Sequence, residues 1–155
     1  IDVGVVYIYS INHRGDELSP SPSLEGEEGE EEVSLTLLQV LYGQSSKDEY
    51  GNSIALSSNG QRLVVGSRSE NEQMGVVRIY QLEDDTTTNI EEGTSSPSSS
   101  SSSTWTLMEG GIIQGEYPSE RAGWSVSISS DGNVVAIGAP KGGSTGGGSV
   151  RTFKY

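Results

Sequence analysis

The sequence predicts an all-β fold of antiparallel four-stranded blades, repeated as in a β-propeller and amounting to about two blades plus a leading strand. Three observations carry this. Gly51, Gly60 and Gly66 each have a counterpart 72 positions later, at Gly123, Gly132 and Gly138. The segments around these glycines alternate large apolar with small residues, the period of a strand. The hexamer G-V-V-Y-I-Y starting at Gly4 returns as G-V-V-R-I-Y starting at Gly75, 71 positions on. Short strands repeated at this interval are the mark of propeller blades.

In chain order, residues 1–11 read as the end of a preceding blade. Residues 12–33 form an acidic insert with Pro20, Pro22 and the run from Glu25 to Glu32. Like charges at this density repel and few apolar residues offset the entropy of ordering, so disorder is expected. Residues 34–82 are the first complete copy. Residues 83–104 are a second acidic insert that ends in unbroken serines from Ser98 to Ser103, expected to be disordered as low-complexity sequence. Residues 105–155 are the second copy, which lacks its last strand. Both inserts fall at the same place in the repeat, which puts them on one edge of the assembly.

Within a copy the first strand contains Ile54 and Leu56, alternating with Ala55 and Ser57; Val126 and Ile128 alternate with serines in the same way. The second strands, R-L-V-V-G ending at Gly66 and N-V-V-A-I-G ending at Gly138, are nearly continuous apolar runs that suit burial on both faces. Between first and second strands stand Ser-Ser-Asn59-Gly60 and Ser-Ser-Asp131-Gly132. Asn-Gly and Asp-Gly are strong hairpin signals because they tolerate positive φ. The third strand aligns three times, with Val6, Val77 and Val150 in one column and Tyr7, Arg78 and Arg151 in the next. These columns imply one buried and one wetter face. A fourth strand is marked by Leu35-Thr-Leu-Leu38 against Trp105-Thr-Leu-Met108.

Tyr50-Gly-Asn-Ser-Ile-Ala55 and Ala122-Gly-Trp-Ser-Val-Ser127 resemble the F-G-x-S-V-A opening of FG-GAP repeats. Gly138-Ala-Pro140 reproduces the G-A-P triplet, and Gly148-Ser-Val-Arg-Thr-Phe153 is similar to the family's G-x-V-Y-V-F strand. The resemblance covers both copies and the leading fragment. It implies a β-propeller of the kind found in the heads of integrin α-chains, further blades in the same chain, and an extracellular or cell-surface setting. Ala122 departs from the aromatic of the opening, and Gly66-Ser-Arg68 stands where G-A-P is expected. Many members also bind calcium through D-x-[DN]-x-[DN]-G-x-x-D. A calcium ion takes six to eight oxygens, several of them charged. Ser-Ser-Asn-Gly and Ser-Ser-Asp-Gly offer one carboxylate between them, so the fold is carried over and calcium is not. No cofactor is expected.

Composition narrows the function. The chain has 155 residues, no cysteine and a net charge of −13. Disulfides and thiolate metal sites are excluded. The charge sits in the inserts: residues 12–33 carry −7 and residues 83–104 carry −5, leaving the repeat body nearly neutral. Nothing resembles the basic stripe that nucleic acid requires. No apolar run in this segment approaches a membrane span. Ser53 and Ser125 follow G-x as in a nucleophile elbow, but the closing glycine is missing and His13, in the acidic insert, is the sole histidine. No two carboxylates of the repeat body stand out as a hydrolase pair.

The expected role is therefore a non-catalytic binding or adhesion module with a protein or glycan ligand. Loop residues Tyr117, Arg121 and Trp124 could line its binding face; Trp124 could equally pack between blades. The alternatives are a propeller enzyme acting on glycans, and a structural or matrix protein whose acidic and Ser-rich inserts are the working part. Fold alone does not choose among them. Two blades with nothing beyond them should leave apolar columns such as Val77 with Ile79 and Val135 with Ile137 in water.

Overall fold

A computed structural model describes residues 3–13, 33–85 and 102–155. The chain is all-β, with antiparallel pairing throughout its four- and three-stranded sheets, and none of the described sheets is closed. Strands β1 (Val3–His13) and β2 (Val33–Ser46) form a two-stranded sheet. Strands β3 (Tyr50–Leu56), β4 (Arg62–Ser67), β5 (Val76–Asp85) and β6 (Ser102–Gln114) form a four-stranded sheet in that order. Strands β7 (Ser125–Ile128), β8 (Val134–Ala139) and β9 (Ser149–Lys154) form a three-stranded sheet. One helical turn, α1 (Glu70–Gln73), joins β4 to β5.

The ends of β1, β2, β5 and β6 run into the segments read as inserts: Asn12, Val33, Glu83 and Thr104 all lie in strands. Residues 14–32 and 86–101, where the rest of the expected disorder falls, lie outside the described residues. The fourth-type strands are longer than their sequence signal. β6 continues past Met108 because a bulge absorbs Glu109 and two glycines. The register slips between Arg78, which faces Ile112, and Tyr80, which faces Leu107, and Gly110 takes the positive φ that such a bulge needs.

The chain divides into two compact units. Residues 7–41 hold the outer parts of β1 and β2, where Asn12 donates a hydrogen bond to Thr36 at 3.3 Å. The second unit takes residues 1–6 and 42–155. Its core lies between the four- and three-stranded sheets and contains Val64, Val77, Ile79, Ala122, Val135 and Ile137. The expectation that Val77, Ile79, Val135 and Ile137 meet water is therefore corrected: they are buried between the two sheets.

Exposure falls elsewhere, and in a regular way. Ile54 and Leu56 are each 58% exposed, while their counterparts Val126 and Ile128 pack against the core. β4 is buried from Leu63 to Ser67, as its apolar run predicts. β8 differs: Val135, Ile137 and Ala139 are buried, but Val134 is exposed and Ala136 half-buried.

The Asn-Gly and Asp-Gly turns form in both copies, with a different geometry from a two-residue hairpin. Only the glycines take positive φ, 69° at Gly60 and 76° at Gly132. Gly60 N donates to Ser57 O, and Gly132 N to Ser129 O, both at 2.9 Å. Asn59 and Asp131 serve as acceptors instead. The Ser57 hydroxyl donates to Asn59 Oδ1 and the Ser129 hydroxyl to Asp131 Oδ1, each at 2.6 Å. The same side-chain oxygens take the amides of Gln61 and Asn133. A short polar side chain that bonds the backbone two residues on stabilises the turn without needing a left-handed residue of its own.

Candidate functional site

The four-stranded sheet receives the segment that opens the second copy. Ser53 Oγ donates to Gly123 O at 2.7 Å and Asn52 Nδ2 to Trp124 O at 3.1 Å. Arg121 N and Ala122 N donate to Gln73 O and Met74 O, each at 2.9 Å. Ser53 is thus a strand residue whose hydroxyl holds a neighbouring backbone carbonyl. At the other strand ends Arg62 reaches across to Gly132 O at 2.8 Å.

This docking gathers a surface cluster at the start of β7. The Arg68 guanidinium lies 4.2 Å over the Trp124 ring, and that of Arg121 lies 5.8 Å from it. Both distances are in the cation–π range. Glu49 forms an ion pair with Arg68 and accepts the Ser69 hydroxyl at 2.8 Å. These two hydrogen bonds, Arg68 first, hold the Glu49 carboxyl below its ordinary value. Arg121 Nη2 donates to Gln73 Oε1 at 3.1 Å. Trp124 remains 41% exposed, so it joins the two sheets and also presents itself to solvent.

Of the three loop residues expected to form a face, Arg121 and Trp124 come together and Tyr117 does not join them. Tyr117 is exposed, and its backbone amide is held by Glu120 Oε2 at 3.0 Å. Sequence reasoning missed Arg68. Its signal was the column that places Arg68 against Pro140, the one position of the Gly-Ala-Pro triplet where the copies exchange a rigid apolar residue for a cation.

The carboxylates nearest the cluster are tied to structural partners. Glu120 is 1% exposed, accepts the amides of Glu116 and Tyr117, and meets Arg151 at 3.5 Å. Glu116 pairs with the same arginine at 3.1 Å. Asp48, one repeat earlier, accepts Ser45 N at 2.8 Å in the manner of Glu120. Glu70 is buried with Arg78 in a two-pronged pair, both contacts at 2.6 Å. Arg78 had been placed on the wetter face; it is buried, because Glu70 from the β4–β5 connection neutralises it there.

The residues do not fit a calcium ion. Both oxygens of Asp131 are engaged inside its own turn by Ser129 and Asn133, and Asn59 brings no charge to the equivalent place. Among the described residues no group of three or more potential ligand side chains stands together. Among them, too, no helix is long and apolar enough to cross a membrane.

The sequence matches no protein-family model, and no curated protein matches it.

Proposed function

We propose that this chain is a non-catalytic binding module built of FG-GAP-like β-propeller repeats, which recognises a protein or glycan through the loop cluster of Arg68, Arg121 and Trp124. The observation that carries this reading is the half-open indole of Trp124, fixed by two guanidinium groups at one end of the strands. Its backbone is anchored to the neighbouring sheet, so the ring is held in place before any ligand arrives, which lowers the entropy cost of binding. Aromatic and arginine side chains are the residues that most often dominate binding energy. The carboxylates beside the cluster support the same reading, since Glu49 and Glu120 spend their oxygens on arginine, serine and backbone amides.

A screen of the full chain against glycans and extracellular-type proteins tests this. Binding should be lost in Trp124→Ala and Arg121→Ala and kept in Asp131→Asn, which lies at the opposite end of β7. Glycan cleavage by the wild-type chain that disappears in Glu116→Gln would replace the binding role by the enzymatic one. Loss of binding on replacing residues 14–32 and 86–101 by short linkers would move the function to the inserts.

A further inference from the structure

One valine column changes its exposure abruptly at the last sheet. Val6 is 9% exposed, Val77 0%, and their counterpart Val150 73%. The first two are covered by the glycine that opens the following repeat: a Cβ on Gly51 would stand 3.1 Å from Val6 Cγ2, and one on Gly123 2.9 Å from Val77 Cγ2. A second column behaves alike. A Cβ on Gly4 would collide with the backbone of Tyr50 and one on Gly75 with the backbone of Ala122, whereas at Gly148 the nearest atoms belong to its own loop.

Around Val150 lies an open groove of about 410 Å³ whose lining includes Trp124, Ser125, Gly138, Pro140 and Gly147. Four of these positions have counterparts one repeat earlier that make a defined contact with the incoming chain. Ser125 corresponds to Ser53, whose hydroxyl donates to Gly123 O. Gly138 corresponds to Gly66, where a side chain would strike the Gly123 carbonyl. Gly147 corresponds to Met74, whose carbonyl accepts Ala122 N. Pro140 corresponds to Arg68, which covers the Trp124 ring.

We infer that this groove is an acceptor for the opening segment of a further repeat module: a small or aromatic residue, then Gly, then an apolar or aromatic residue, then Ser. The incoming glycine rests on Val150 and Gly138, its carbonyl takes the Ser125 hydroxyl, and the residue before it donates its amide to Gly147 O. The residue after the glycine packs on Pro140, which favours an apolar or aromatic side chain. A second copy of this chain is not the occupant, because both of its segments of this kind are already seated, Tyr50-Gly51 on Gly4 and Val6 and Ala122-Gly123 on Gly75 and Val77. The inference rests on the repeat reading of the sheets proposed above, and the groove shares Trp124 with the arginine–tryptophan cluster.

The test is a titration of the isotope-labelled full chain with a synthetic peptide of residues 118–130, followed by amide NMR. Saturable shifts are expected at Gly138, Gly147 and Val150. Val150→Asp should abolish them, and Ser125→Ala should weaken binding about fivefold, the loss of one hydrogen bond. Both side chains are exposed, so both variants should keep dispersed spectra. A peptide whose central glycine is replaced by valine needs no folding control and should not saturate. Absence of shifts in the wild-type chain, or equal binding of the valine peptide, would overturn the proposal. So would a dimer of the chain alone in sedimentation that Val150→Asp dissolves, since it would make a second copy the occupant. A chain that takes the peptide yet binds nothing in the ligand screen keeps the acceptor and loses the binding role; the reverse result removes the acceptor alone.

Discussion

Gly123 lies against Val77 as Gly51 lies against Val6: a Cβ would stand 2.9 Å from Val77 Cγ2 in the first pair and 3.1 Å from Val6 Cγ2 in the second, both tighter than ordinary contact. The relationship explains why glycine recurs at this column. φ is 82° at Gly51 and 81° at Gly123, a region that costs other residues energy. The missing Cβ also lets one sheet's opening segment touch the preceding sheet's third strand, which is the contact that joins successive repeats.

The same contact separates two glycines of nearly equal backbone geometry. φ is 83° at Gly75 and 91° at Gly148. Only Gly75 faces the backbone of a following repeat. Gly148→Ala should therefore cost about the 1–2 kcal/mol of a left-handed alanine. Gly75→Ala should cost clearly more, because Ala122 and the strand behind it must move. Denaturant melts of the two variants decide this, and equal losses would show that the sheet-to-sheet contact adds nothing to stability.

The paired turn glycines offer a second comparison. A Cβ at Gly60 meets nothing within 4 Å, whereas one at Gly132 stands 2.9 Å from Arg62 Cδ. Gly60→Ala should cost only the backbone term of about 1–2 kcal/mol, and Gly60→Asn less, since asparagine tolerates this conformation. Gly132→Ala should also displace Arg62 and its bond to Gly132 O, giving the larger drop in thermal midpoint.

Asp131 should make stability depend on acid. The Ser129 hydroxyl first, then the Asn133 amides, hold its carboxyl down at about 2, against an ordinary value of 3.8. A carboxyl lowered by folding stabilises the fold above its unfolded value and loses that contribution as pH falls through its folded value. The loss attributable to Asp131 should therefore appear between about pH 4 and pH 2. Asp131→Asn copies the Asn59 turn and should flatten that part of the profile while keeping the fold. Chemical denaturation from pH 5 to pH 2 of both proteins gives the difference, and parallel profiles would exclude the assigned role.

The buried Glu70–Arg78 pair should be costly to break and cheap to replace. Its side chains are 11% and 7% exposed respectively. Glu70→Ala leaves a guanidinium in the interior without its partner, which costs roughly 3–5 kcal/mol. Replacing both, as Glu70→Leu with Arg78→Met, should recover most of that loss, because two desolvation penalties vanish together. A double-mutant cycle measured by urea melts checks this; a double variant as unstable as Glu70→Ala would show that other contacts of Arg78 dominate.

What the sequence determined by itself was the periodic part. Alternation of apolar and small residues placed the strands, the 72-residue glycine spacing placed the turns and the sheet-joining segments, and Ser-Ser-Asn-Gly and Ser-Ser-Asp-Gly located the two turns. These are local signals, because strand period and turn conformation depend on neighbours only a few residues away. The tertiary structure decided what each repeated position experiences. Val6, Val77 and Val150 read alike in sequence, yet the last is open, since burial depends on whether a further sheet stands alongside. Arg68 and Trp124 lie 56 positions apart, and no local pattern joins them. Their stacking needs the second repeat to dock on the first, a contact set by the shape of two packed sheets.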